Sequence, residues 1–442
     1  MEVVIKILQF LLSISILVII HEFGHFLAAR IFKTRVEKFY LFFDPWFSLF
    51  KIKRGDTEYG IGWLPLGGYV KISGMIDESM DREQMKQPPK PWEFRSKPAW
   101  QRLIIMLGGV TMNILLALLI YIVMLAYWGE EYLPAENVRY GIVVDSVGAQ
   151  LGLQNGDKII SIDHHKIENF RKIPEALILD EAQTIQVLRN GEMIDLTVPE
   201  GFLNKLVKHR SPEFIGVRFP FYVDRFTKDS HAKKAGILKG DQIIGINGKS
   251  TPFFDQFVAE VGQLADSVAM VQVVREGDTL EIPVQVSSEG RIGVYPVSNL
   301  AEFFELKEKK YNLAEAIPAG INRTWSGIGS YLKQLKLIFS PEVKAYESVG
   351  GFITIGSIFP AEWHWQSFWS LTAFLSIMLA ILNVLPIPAL DGGHVMFLLY
   401  EVITRRKPGD RFLEYAQIVG MILLFALLIF ANGNDLMRLL SK

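Results

Sequence analysis

The 442-residue chain contains no cysteine. No disulfide braces any part of it, and no thiolate is on offer to a metal. A metal site here has only histidine and carboxylate to draw on. Histidine is itself scarce, at eight residues. Charge of one sign is missing: 46 Lys and Arg stand against 47 Asp and Glu, a net charge of −1. That balance gives no reason to expect a nucleic-acid partner. The lack of Cys does not fix a compartment. Apolar residues, by contrast, make up 50% of the chain, and the mean hydropathy is +0.24. That value is high for a soluble protein and low for an all-membrane one. The length allows two to four domains, and the mixture predicts a few spanning helices plus a soluble part.

Two of the eight His fall in His21-Glu22-Phe23-Gly24-His25, at the end of an apolar run from Ile7 to Ile20. His-Glu-x-x-His on a helix is a zinc-protease signature. Four residues apart, both imidazoles project from one helical face. Glu22 sits beside them, placed to take a proton from a metal-bound water. A lone His in such a run reads as a satisfied core residue, but three polar groups on one turn are not easily left unpaired. Ionisable groups at membrane depth are costly and point to function. The combination suggests peptide cleavage within a bilayer. The run resembles a signal peptide, but its His-Glu-x-x-His end offers no small-residue cleavage site. It is read as retained.

A spanning helix needs roughly 20 apolar residues. Four candidates appear, at about Val3–Ala29, Leu103–Tyr127, Phe368–Leu385 and Ala416–Ala431. Tyr127 and Trp128, and Trp363 and Trp365, suit interfacial belts. Short loops rich in Lys and Arg lie between spans one and two and, at Arg405, Arg406, Lys407 and Arg411, between spans three and four. Both read as cytoplasmic. Both termini and the long middle region then lie on the outer side, with the active site toward the cytoplasm.

That middle region repeats itself. Leu151-Gly152-Leu153 through Gly156-Asp157 to Ile162-Asp163 returns as Ala235-Gly236-Ile237 through Gly240-Asp241 to Ile246-Asn247. Gly-Asp makes a turn and the alternating Ile pattern makes the following strand. Ile215-Gly216-Val217 is echoed by Ile292-Gly293-Val294. The repeat resembles the PDZ domain, although His164 stands where the second copy has Gly248 and leaves that turn of the first copy open. PDZ domains bind extended peptides by strand addition; the alternative is a pair of β-rich spacers. Leu313 to Ile338 reads as an amphipathic membrane-surface helix broken at Pro318. Tyr59 to Ile72 is apolar, Gly-rich and too short to span. A β-hairpin dipping in beside the metal would satisfy its backbone, and its free edge could pair with an extended substrate.

Two His leave zinc short of a third protein ligand, usually a carboxylate when no Cys exists. The strongest candidate is Asp391, in Asn383-Val384-Leu385-Pro386-Ile387-Pro388-Ala389-Leu390-Asp391-Gly392-Gly393-His394. The Pro and Gly residues break the helix there. His394 is the rival ligand. Two other functions compete: a PDZ scaffold on a membrane anchor with a closed structural zinc, which leaves Glu22 without a purpose, and a proton-relay transporter, weakened by the lack of a visible inverted repeat.

The paired motifs, His21-Glu22-x-x-His25 in a first span and Asn383-x-x-Pro386 with Leu390-Asp391-Gly392 in a third, resemble the site-2 protease family of intramembrane zinc metalloproteases. Two PDZ repeats between spans two and three resemble the bacterial branch that cuts anti-sigma factors. Gly67-Gly68-Tyr69-Val70-Lys71 resembles that family's membrane-dipping β-loop. Gly109-Val110-Thr111-Met112-Asn113 resembles its Gly-x-x-x-Asn stretch, with Val110 where Pro is usual. The resemblance implies one Zn2+ held by His21, His25 and Asp391, and Glu22 as general base. It implies Asn383 as a catalytic hold on the substrate backbone or oxyanion, and Gly67, Gly68, Tyr69, Val70, Lys71 and Pro386 as substrate-binding. It further implies single-pass membrane substrates already trimmed by an upstream periplasmic protease, signal-peptide remnants as further substrates, and a bacterial inner-membrane location.

The expected fold is thus a multi-spanning α-helical membrane protein with four transmembrane helices, a membrane-dipping β-hairpin and two inserted α+β PDZ domains. The expected boundaries are 1–30 for the first span with the zinc motif, 31–102 for the cytoplasmic loop and β-hairpin, 103–128 for the second span, 129–220 and 221–305 for the two PDZ domains, 306–362 for the juxtamembrane helices, 363–398 for the third span with the Asp ligand, and 399–442 for the fourth.

Overall fold

The computed structural model describes residues 2–65, 67–75, 87–209, 214–338, 340 and 350–440. Leu66 of the Gly-rich stretch, and parts of the expected segments 31–102, 129–220 and 306–362, lie outside the described residues. The chain forms two compact units. One joins Met1–Gly129, Lys310–Phe339 and Ala345–Lys442; the other is built on Glu130–Lys309.

Among the described residues, four helices of the first unit are long and apolar enough to cross a membrane: α1 (Glu2–Ile31), α2 (Ala99–Trp128), α5 (Trp365–Val384) and α7 (Asp410–Leu440), the last over Arg411–Leu440. Three of them extend past their expected bounds at both ends; α5 begins three residues earlier than expected and stops at Val384, one residue short, because Leu385 is already its C-cap in non-helical backbone. Between α2 and α5 in the chain come α3 (Leu313–Ile338) and the short α4 (Phe352–Ser357). The expected break at Pro318 is not there: α3 is one helix with Pro318 inside it. Pro318 sits in the second turn, where its missing N–H removes a single intrahelical bond, and the start of the helix is held by Asn312 and Glu315, each side chain accepting from the other's backbone N–H.

The packing of α1 on α2 rests on glycine. A Cβ on Gly108 would stand 2.5 Å from the Gly24 carbonyl oxygen, and one on Gly24 would stand 2.8 Å from the Gly109 nitrogen. Small residues let the backbones touch, which is how helices associate where lipid offers no hydrophobic drive.

The expected hairpin takes a different form. Strands β1 (Val36–Leu41), β2 (Phe43–Arg54), β3 (Thr57–Leu64) and β4 (Tyr69–Ile72) make one sheet in the order β2-β3-β1-β4. Hence β3 and β4 do not pair with each other. β1 lies between them, parallel to β3 and antiparallel to β4. The physical reason is that Val36 and Tyr40 are fully buried, so β1 takes the interior position and β4 is left at the edge.

In the second unit the repeat is structural as well as sequential. Each copy runs from a short helical turn ending in a left-handed Gly (Gly152, φ 80°; Gly236, φ 97°) into a strand, Lys158–Ile162 or Gln242–Ile246. That strand pairs antiparallel with Thr184–Arg189 or Val268–Arg275. The echo at Ile215–Val217 is a strand paired with Ile142–Val144; in the second copy the corresponding strand, Val294–Pro296 paired with Val223–Phe226, begins at the last residue of the echo. His164 takes φ 63° where the second copy has Gly248 at φ 76°. The first copy therefore makes the same turn with a residue that pays the left-handed penalty. Asp157 and Asp241, both buried, each accept two bonds from an arginine, Arg189 and Arg275, through Nε and Nη2, and the same Nη2 also donates to the Gly152 or Gly236 carbonyl. Each copy has its own apolar core, and Phe303 and Phe304 pack into the first rather than the second.

Candidate metal centre

On α1 the buried residues are Gln9, Ser13, Leu17, His21, Gly24, His25, Ala28 and Ala29. They recur at three and four, so one face is buried and it carries both imidazoles. Asp391 is the first residue of α6 (Asp391–Thr404), a helix not foreseen as separate from the third span. The chain leaves α5 at Val384 and folds back through Pro386 and Pro388 before α6 begins. A Cβ on Gly393 would stand 2.6 Å from the Pro388 Cα, so the turn closes only on glycine. Ala389 sits at φ 80°, and its N–H donates to the Gln417 Oε1 of α7 at 3.2 Å. The loop that presents Asp391 is thereby tied to the fourth long helix.

Three donor atoms converge. The Nε2 atoms of His21 and His25 are 3.2 Å apart, and Asp391 Oδ2 is 3.2 Å from each. All three residues are buried or nearly so. His25 Nδ1 lies 2.9 Å from the Ile105 carbonyl oxygen, which accepts its proton. His25 Nε2 then carries a lone pair, not a proton. Asp391 Oδ2 is buried without a hydrogen-bond partner, although both imidazoles are close. Its approach to them is therefore not a hydrogen-bond alignment: the carboxylate and the rings point at a shared space. Lone pairs crowded in this way need a cation. A triangle with 3.2 Å edges fits the spacing of about 3.3 Å expected between tetrahedral zinc ligands at ~2.0 Å from the metal. Two His and one carboxylate, with no fourth His, Asp or Glu in the group among the described residues, is the donor set of an open zinc site.

Glu22 is next to this triangle and interacts with His21, His25, Asp391 and the Val70 backbone. Val70 is on β4. A Cβ on Gly68 would meet Val18 Cγ1 at 2.6 Å and the Tyr40 carbonyl oxygen at 2.7 Å, so glycine lets the lead-in to β4 lie against α1, one turn before Glu22. Tyr69 and Lys71 are on β4 itself, paired with Tyr40 and Lys38. Gly67 precedes it at φ 149°. Asn383 is half-buried on the last turn of α5, and Pro386 is exposed in the loop. No hydrogen bond or ion pair joins either to the triangle among the described residues. His394 lies on α6 outside the three-donor group.

The sequence marked Gly109 and Asn113 as a Gly-x-x-x-Asn stretch but assigned neither a place beside the two histidines, and Ile105 was not foreseen. A Cβ on Gly109 would stand 2.5 Å from His25 Nε2 and 2.6 Å from His21 Cε1. Asn113 Nδ2 is 3.2 Å from His21 Nδ1. Ile105, Gly109 and Asn113 are successive i, i+4 positions of α2, so one helical stripe serves both imidazoles. An amide side chain in an otherwise largely apolar span was the available signal.

A model for peptidase family M50 matches residues 9–427. The chain belongs to peptidase family M50. With its His-His-Asp donor set, it is a zinc metalloprotease. A regulator of sigma E protease from Haemophilus influenzae is 28% identical over 98% of this chain and 98% of its own length. Protease RseP of Yersinia pestis is 27% identical, over 99% of this chain and its full length. A protein of Neisseria meningitidis provisionally named a zinc metalloprotease is 29% identical over 98% of this chain and 99% of its own length.

Proposed function

We propose that this M50 enzyme cleaves the membrane-spanning segments of single-pass proteins. The single observation that carries the reading is the convergence of His21 and His25, on a helix apolar enough to lie in a bilayer, with Asp391, seven residues beyond the end of another such helix. In this reading those three residues hold the zinc. The metal supplies Lewis acidity and lowers the pKa of water bound to it.

The chain's own residues do the rest. Glu22 accepts the proton of the attacking water and returns it to the leaving amine. Asn383 holds the substrate backbone or the developing oxyanion. A helix must be unwound before it is cut, because its carbonyls are already hydrogen-bonded and shielded. The β4 edge, at Gly67, Gly68, Tyr69, Val70 and Lys71, receives the unwound segment as an added strand, with Pro386 lining the approach. This edge strand takes the place of the expected hairpin.

The two repeats of the second unit are PDZ domains, 129–220 and 221–305. They exclude substrates with bulky extramembrane domains, so an upstream periplasmic protease acts first. The substrate class is the anti-sigma-factor type, in line with the names of the relatives, and signal-peptide remnants are further substrates. The protein lies in the bacterial inner membrane with both termini and the PDZ pair periplasmic.

The test is cleavage of a reporter transmembrane segment by Glu22→Gln alongside its zinc content. Zinc is retained and cleavage is lost; full cleavage by this variant would refute the role of Glu22. For the filter, deletion of residues 143–294 admits substrates with intact ectodomains, and unchanged selectivity refutes it.

A further inference from the structure

We infer that Asn113 is a positioning residue that fixes the tautomer of His21 for metal binding. The inference rests on the reading that His21, His25 and Asp391 hold the zinc. A histidine that binds through Nε2 must carry its proton on Nδ1, and it binds best when that proton has an acceptor. His25 has one in the Ile105 carbonyl, 2.9 Å from its Nδ1. His21 has no backbone carbonyl in that role. The group beside its Nδ1 is the Asn113 carboxamide, 3.2 Å away and fully buried.

A carboxamide presents a donor on one side and an acceptor on the other, and the two ends have nearly the same shape. With Nδ2 toward the ring, it suits a His21 that carries its proton on Nε2, facing Asp391. With Oδ1 toward the ring, it suits the ligating tautomer. Asn113 Oδ1 is buried without a partner, so turning the amide breaks no bond at that atom. Asn113 is thus the matched counterpart of the Ile105 carbonyl, two turns further along the same stripe of α2.

The surrounding packing holds it there. The Asn113 backbone carbonyl accepts from Ser376 Oγ of α5 at 2.7 Å, which fixes this turn of α2 against α5. Gly109, one turn earlier, leaves both rings room to approach α2. An amide at this depth in a span is costly unless it is used, and the contact that uses it is the one with His21.

The experiment measures zinc affinity of the full-length enzyme in detergent by chelator competition. Asn113→Leu keeps the volume and removes the acceptor. Its zinc affinity is expected to fall 10- to 100-fold, with its resistance to proteolysis unchanged. Asn113→Asp keeps an acceptor oxygen, and its affinity is expected within threefold of the parent or tighter. In the cobalt(II) form the Asp variant keeps the parent's visible absorption bands and the Leu variant does not. A fall of less than tenfold in the Leu variant overturns the inference. So does a fall of more than threefold in the Asp variant, which alone decides the matter should the Leu variant not assemble. Two controls separate this inference from the reading beneath it. If His25→Gln and Asp391→Asn bind zinc like the parent, the metal site is wrong. If they lose zinc while Asn113→Leu does not, only the role of Asn113 fails.

Discussion

Gly109→Ala puts a single methyl group between α2 and the two imidazoles. The added Cβ would stand 2.5 Å from His25 Nε2, whereas ordinary contact begins at 3.4 Å. Something must move by about 0.9 Å. The helix backbones are already in contact through Gly24 and Gly108, so α2 has little room to retreat, and the rings are the softer side. A displacement of about 1 Å at a reacting centre costs on the order of 100-fold in rate. Overpacking of this kind also costs about 1–3 kcal/mol of stability. The assay is cleavage of a reporter transmembrane segment in membranes, with zinc content and expression level measured on the same samples. The expected result is a loss of about 100-fold in kcat/KM with weakened zinc retention and an enzyme that still accumulates. An alanine enzyme within threefold of the parent, with full zinc, would refute the argument that α2 sets the position of the rings.

Other substitutions probe other parts of the site. Glu22→Gln lowers kcat by at least about 100-fold while zinc stoichiometry, measured by elemental analysis, stays at the parental value. Gln417→Leu removes the acceptor of the Ala389 N–H and loosens the loop bearing Asp391; chelator competition should show zinc held about tenfold less tightly. In the second unit, Arg275→Ala strands the buried Asp241 carboxylate and destabilises that repeat by about 3 kcal/mol, read as faster hydrogen exchange at Val271 and Val273. Burial pushes the Asp241 carboxyl up, but the Arg275 guanidinium and the Leu238 N–H outweigh it and hold it below its ordinary value. A lowered folded-state value stabilises above the unfolded pKa of about 3.9 and loses that contribution as pH falls below it. Acidification through pH 4 should therefore lower the protection factors of these amides, measured against the intrinsic rate at each pH, and this pH response should shrink in Asp241→Asn.

The convergence of His21, His25 and Asp391 was legible because its signal is local at both ends. His21 and His25 share a helical face by spacing alone, and Asp391 is marked by the prolines and glycines around it. The repeat was legible for a similar reason: Gly152 and Gly236, and Asp157 and Asp241, occupy equivalent turns. The sheet was not, because its order depends on β1 inserting between β3 and β4, and a parallel β1–β3 pairing leaves no mark in the Tyr59–Ile72 pattern. The continuity of α3 through Pro318 was not legible either, because the reciprocal Asn312–Glu315 bonds that hold the helix start form only in the folded chain. The partners of the imidazoles were hidden for a deeper reason. Ile105 acts through its backbone carbonyl, which any residue carries, and Gly109 acts by the absence of a side chain. Both roles exist only once α1 and α2 are in contact.

X-ray absorption at the zinc edge of the purified enzyme tests the central claim most directly. It should show one zinc with two imidazoles and otherwise only light oxygen scatterers, and Asp391→Ala should change that first shell. A zinc surrounded by three or more imidazoles, or a first shell unaltered by the loss of Asp391, would contradict the account.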